Sequence, residues 1–175
     1  MRPKREHATA NRQTYFASSQ TSERRQFFKA ERWALLLVNT LQHYRKQGAY
    51  QLHEFVIMPD HFHALITPSG ALERAMQYIK GGFSYRAKKE LGYEFEIWQR
   101  GFSDHRIRDA EDYGRHVEYI RQNPLNQHLC ESPQHYRYSS IASEDKDPAP
   151  QRLKPRFLSE QDGAPEGAPL QGQIK

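Results

Sequence analysis

Cysteine is nearly absent from this sequence. Cys130 is the only one, which excludes an internal disulfide and any zinc cage built from thiolates. Long apolar runs are missing too: nothing approaches the roughly 20 residues needed to cross a bilayer. The basic N-terminal segment lacks an apolar core, so it does not read as a secretory signal, and a bacterial-type cytoplasm is the expected compartment. Acidic residues are scarce in the first 50 positions, where ten Lys and Arg stand against three Glu, and the whole chain carries a net charge of +5. Such a basic half suits a polyanionic partner, nucleic acid first, although charge of this kind also serves plain solubility.

What is present fits one domain with tails. The 175 residues are 37% apolar and 27% charged, enough for one sizeable core. Residues 1–13 are basic and without periodicity and read as a flexible arm. Residues 143–175 hold five of the ten prolines, with Gly, Gln and charged residues, and read as an extended or disordered tail. Between them, residues 14–142 form the domain.

The stretch Val56 to Thr67, VIMPDHFHALIT, organises that domain. Apolar flanks mark a strand, and Met58, Pro59 and Asp60 mark a turn before it. Strand side chains alternate between faces, so Phe62, Ala64 and Ile66 share one face while His61 and His63 share the other. Two imidazoles side by side can grip a divalent metal, but two histidines on a strand are also common as half-exposed surface residues.

Around it the pattern predicts a first strand over 14–20 and a helix from Arg24 to about Gln47, capped by Thr21 or Ser22 and closed by Gly48. A strand from Tyr50 to Met58 pairs with the histidine strand as a hairpin. Leu72, Met76, Ile79, Phe83 and Ala87, three or four residues apart, mark a second helix. Gly81 and Gly82 in its middle call for either close approach of another backbone, DNA included, or a helix break. Short β-like runs follow at Glu94–Trp98 and Phe102–Arg108. A last helix starts near Asp109 and is expected to stop before Pro124. This order predicts an α+β fold: the ferredoxin-like split β-α-β plait, with a four-stranded antiparallel sheet, two helices on one face, and the other face left for a ligand and an extra helix.

On that extra helix Tyr113, Val117 and Ile120 form the buried stripe. Tyr119 lies off it, and Asn123, four residues on, is its neighbour. A tyrosine beside a carboxamide is a candidate nucleophile beside a candidate metal ligand; a surface tyrosine partly covered by the tail is the other reading.

MPDHFHALI, with WQRGF and DHRIRDAEDYGRHVEYIRQNP further along, resembles the REP-associated tyrosine transposases. These are relatives of the single-tyrosine transposases of small insertion sequences, within the HUH endonuclease superfamily. The resemblance runs from about Tyr15 to Tyr138. It implies that His61 and His63 are metal ligands, that Tyr119 is the single nucleophile, and that Asn123 is the third ligand. Insertion-sequence relatives usually carry Gln there. It further implies a Mg²⁺ or Mn²⁺ cofactor and a partner that is single-stranded DNA bearing a REP-like hairpin. Strand cleavage and rejoining would pass through a 5′-phosphotyrosine, in a chain that acts as a monomer rather than a homodimer. Phenolate formation would draw on the metal, Arg115 or His116. Expected phosphate contacts are Arg2, Lys4, Arg5 and Arg12 in the arm, Lys80, Arg86 and Lys88 on the second helix, and Arg115. A replication initiator or relaxase, or a hairpin-binding protein without turnover, are the alternatives.

Overall fold

The computed structural model describes residues 12–143 and 145–153. Strand β1 (Tyr15–Gln20) leads through two short 3-10 turns to helix α1 (Glu31–Lys46). Strands β2 (Tyr50–Met58) and β3 (His61–Pro68) follow, then helix α2 (Leu72–Leu91), strand β4 (Ser103–Arg106) and helix α3 (Ala110–Asn126). The sheet is antiparallel throughout with order β2-β3-β1-β4, the split β-α-β plait expected from the sequence.

Alternation along the strands sorts the residues into two layers. Phe62, Ala64 and Ile66 of β3 face α1 and α2 in a core that includes Phe28, Leu37, Phe55, Ile79 and Phe83. Val56, Met58 and Leu65 point the other way and pack with Ile107, Tyr113 and Ile120 under α3. β2 and β3 are joined by Pro59 and Asp60 alone, so the register of the histidines is fixed by a two-residue turn: Met58 pairs with His61 and Val56 with His63.

Four expectations need correction. The first helix does not begin at Arg24: Glu23 and Arg24 have φ of 56° and 53°, outside helical geometry, and α1 starts at Glu31. Thr21 caps nothing there; its hydroxyl donates to the carbonyls of Arg25 and Asp60. Glu94–Trp98 is no strand. Trp98 makes one bridge to Thr21 and turns its ring into the core against Phe28, Phe62 and Phe83. Gly81 and Gly82 do not break α2, and a Cβ on Gly81 would meet nothing within 4 Å. A Cβ on Gly82 would lie 2.4 Å from the Tyr44 ring, so glycine is there to let α1 and α2 approach. Finally, α3 runs through Pro124 to Asn126. Proline this close to the helix end removes a single ladder hydrogen bond, and its ring is buried. The helix begins as expected, with Asp109 accepting from the Asp112 amide.

The expected tail opens with an ordered strap. Asp147 accepts from the Leu52 amide and Arg45, its own amide donates to the Leu52 carbonyl, and Leu153 is buried under α3. Just before it, Tyr138 and Ser140 bond to Ile57 and Phe55 of β2. The composition of this segment reads as unstructured, but Arg45 and the outer edge of β2 give its polar groups partners. Residues 154–175 lie outside the described residues, as do Arg2, Lys4 and Arg5 of the arm.

Candidate active site

The α3 side of the sheet carries His61, His63 and Phe16 beneath the helix that bears Tyr119. His61 and His63 stand with ring centroids 4.8 Å apart. His61 Nδ1–H donates to Asp60 Oδ1 at 2.6 Å, because a carboxylate only accepts. In the neutral ring that hydrogen bond puts the proton on Nδ1 and leaves the Nε2 lone pair to a ligand. Burial works to raise the Asp60 pKa, but His61 and then Arg24, 2.9 Å away, outweigh it and hold the carboxyl below its ordinary value.

His63 is 7% exposed, and neither of its ring nitrogens has a hydrogen-bond partner among the described residues. Burial, with help from His61, pushes its pKa down to about 3, so it is neutral in ordinary conditions. An uncharged imidazole with an idle, buried lone pair is costly unless something binds it. That observation, together with the oriented Nε2 of His61, fits a divalent metal.

Tyr119 stands against this pair. Its ring meets the His63 ring edge-on at 5.2 Å and the Phe16 ring at 5.7 Å, while half of its surface stays exposed. Phe16 stacks on His63 at 5.2 Å and fixes the ring between strand and helix. Asn123 follows one helical turn after Tyr119 and is buried. Because α3 continues through Pro124, the carboxamide stays on the same helical face as the tyrosine.

The expected cationic contacts are scattered. Lys80 gives its ammonium to the carbonyls of Gln99 and Gly101, and burial lowers its pKa. Arg86 pairs with Glu90, and Lys88 with Glu94. All three ride on α2, across the sheet from the histidines. Arg115 is exposed on α3, one turn before Tyr119, and pairs with Glu111; Arg12 is exposed at the start of the described chain.

Sequence reasoning passed over Asp60, which it read only as a turn residue, and Phe16, which gave no signal of its own. It named His116 only as an aid to the Tyr119 phenolate, and did not bring it together with His105 and Asp112. Their ligand atoms all lie within 4.8 Å of one another, the one such group of His, Cys, Asp or Glu among the described residues. The DH of the DHRIRD run and the four-residue spacing of Asp112 and His116 were the available hints.

A ferredoxin-like sheet whose central strand turns two histidines toward a tyrosine-bearing helix packed on the same face is the architecture of the single-tyrosine HUH transposases. A model of the IS200-like transposases matches residues 12–123, and the chain belongs to that family. An Escherichia coli K12 REP-associated tyrosine transposase is 30% identical over 84 residues, 46% of this chain and 48% of that protein. A Haemophilus influenzae protein provisionally assigned to the same group is 32% identical over 114 residues, 58% of this chain and 62% of that protein. The matched region thus spans about half to three-fifths of the length of these relatives. The fold matches that of a REP-associated tyrosine transposase solved bound to a REP hairpin, with a TM-score of 0.65 and 19% identity, covering 92% of this chain and 98% of that one.

One consequence concerns the support of His61. Asp60→Asn keeps the side-chain shape and an acceptor oxygen but removes the carboxylate charge that holds the Nδ1 proton and strengthens the ring as a ligand. We expect Mn²⁺ affinity to fall about 10–100-fold, as for other supporting carboxylates, in a calorimetric titration. An unchanged affinity would remove Asp60 from the site.

Proposed function

We propose that the protein is a single-tyrosine DNA strand transferase that cuts and rejoins single-stranded DNA beside REP-like hairpins, through a 5′-phosphotyrosine on Tyr119. The observation that carries this reading is the half-exposed Tyr119 standing edge-on against a buried His63 whose two nitrogens have no partner among the described residues. His61, His63 and Asn123 would hold a divalent cation, Mg²⁺ or Mn²⁺, which when bound would offset charge on the non-bridging oxygens of the scissile phosphate.

The chain's own residues do the rest. The Tyr119 Oη attacks phosphorus in line with the bond to O3′. The Tyr119 hydroxyl gives up its proton as the Tyr–O–P bond forms, the P–O3′ bond breaks, and the departing O3′ takes up a proton to become a hydroxyl. The phosphodiester's energy is kept in the phosphotyrosine, so another strand's 3′-hydroxyl can reverse the step and create a new junction. Asp60 orients His61, and Phe16 braces His63.

The REP hairpin bound by the fold neighbour supports a hairpin as the DNA partner. Phosphate contacts would come from Arg115, Arg12 and the arm cations Arg2, Lys4 and Arg5, giving salt-dependent binding. Lys80, Arg86 and Lys88 would be reached only by DNA that wraps around the sheet. We place the protein in the bacterial cytoplasm, with the nucleoid, acting as a monomer. No described helix is long and apolar enough to cross a membrane.

The test is transfer of label to protein. Wild type, Mn²⁺ and a single strand labelled 3′ of the cut, carrying a palindromic hairpin with its flanks, should give a labelled band at protein mass on a denaturing gel. Tyr119→Phe should give none. Label on both proteins would move the nucleophile elsewhere; hairpin binding without label on either would favour a binding protein.

A further inference from the structure

Asp112 is 2% exposed and lies at the start of α3, where two imidazoles from different elements converge on it. His105 of β4 donates through Nε2 to Asp112 Oδ2 at 2.8 Å. His116, one turn along α3, holds Nδ1 3.3 Å from Asp112 Oδ1 and donates it to the Asp112 carbonyl at 2.8 Å. The two rings stack at 4.8 Å with planes 17° apart. The backbone amide of Arg108 completes the carboxylate's partners, and that residue and His105, with burial opposing them, hold its pKa below the ordinary range.

We propose that His105, Asp112 and His116 form a second divalent cation site, separate from the His61–His63 pair, and that Zn²⁺ is the cation its chemistry suits. Two imidazoles and one carboxylate are a usual set of three protein ligands, with a fourth position left to water. Bonds of about 2.0–2.2 Å in a tetrahedron place donor atoms about 3.3 Å apart. The two Asp–His separations, 2.8 Å to Oδ2 and 3.3 Å to Oδ1, lie at or just below that spacing, each on its own carboxylate oxygen. The widest pair in the group, within 4.8 Å, has to close by no more than about 1.5 Å.

A neutral imidazole can become a ligand here by passing its proton from the nitrogen facing Asp112 to the other ring nitrogen, with no net proton lost. Two cations compete for that carboxylate: Arg108 Nε at 3.7 Å and Arg115 Nη2 at 3.9 Å. Both are mostly exposed and can swing into water. The site would pin β4, a four-residue edge strand, to the helix that carries Tyr119. It is a positioning site: the His116 and Tyr119 rings both rest on Phe16, and both residues ride on α3.

The test uses the full chain stripped by chelation, in a His61→Ala, His63→Ala background that removes the first pair. Zn²⁺ alone, titrated against a chromophoric chelator, should bind at one equivalent and raise the thermal midpoint. Adding His105→Ala should weaken binding by more than the roughly 100-fold at which losses of supporting residues level off, and abolish the thermal shift. His105→Gln, half-exposed on an edge strand, serves if the alanine variant lacks a native circular dichroism spectrum. Absence of Zn²⁺ binding in the double variant would overturn the proposal, as would binding indifferent to position 105. Neither result bears on Tyr119, whose label transfer is read separately.

Discussion

His63→Ala is expected to lower metal-dependent strand cleavage by at least about a hundredfold while leaving the fold and hairpin affinity nearly intact. The asymmetry follows from the bonding of this side chain. Among the described residues neither buried ring nitrogen has a partner, so removing the imidazole breaks no hydrogen bond there. The packing lost against Phe16 is offset by relief of an uncompensated desolvation. On the proposed reading, hairpin binding rests on Lys and Arg contacts to phosphate, which the substitution does not touch. Cleavage of a labelled strand over a Mn²⁺ titration, beside a urea denaturation curve, checks both halves. Cleavage at the wild-type rate would show that His63 is not a ligand. A collapse of stability would show that its role is in packing.

Phe62→Ala should do the reverse. Phe62 lies between the two histidines and points into the opposite layer, fully buried, with its ring edge-to-face against Trp98 at 5.6 Å. Truncating such a side chain costs about 3–5 kcal/mol, transfer and cavity together. Against the roughly 5–15 kcal/mol that holds a domain of this kind folded, the loss is large enough to unfold a considerable fraction at growth temperature. Phe62→Leu, which keeps most of the volume, should cost less than about 1.5 kcal/mol. Urea midpoints of the two variants decide the matter. Equal, small losses would mean that β3 is not the centre of the core. Activity should follow stability in this pair, whereas it departs from stability in His63→Ala.

The contrast between neighbouring positions 62 and 63 also explains how much the sequence could reveal. Period-two alternation is a local property, so the facing of His61, His63 and Phe62 was legible from twelve residues of chain. The Tyr119 helix was legible because Tyr113, Val117 and Ile120 define its buried stripe and leave the tyrosine off it. Relations between distant residues were not legible. Gly82 needs Tyr44 to make sense, and Tyr44 lies on another helix. Pro124 warned of a helix end, but proline's cost is small within the last turn, where few ladder bonds remain. Asp112 joins His105 to His116 only once β4 and α3 are side by side. The strap at 145–153 has the composition of disorder, and Arg45 together with the edge of β2 supplies the partners that composition cannot announce.

That strap also bears on assembly. β2 is an outermost strand of the sheet, and an outermost strand ordinarily offers a row of amides and carbonyls on which a second molecule can continue the ladder. Here the amides of Leu52, Phe55 and Ile57 are already taken by Asp147, Ser140 and Tyr138 of the same chain. The sheet is therefore terminated from within on that side. Growth by strand addition at β2 would first require peeling away the segment from Tyr138 to Asp147, and with it the ion pairs to Arg45.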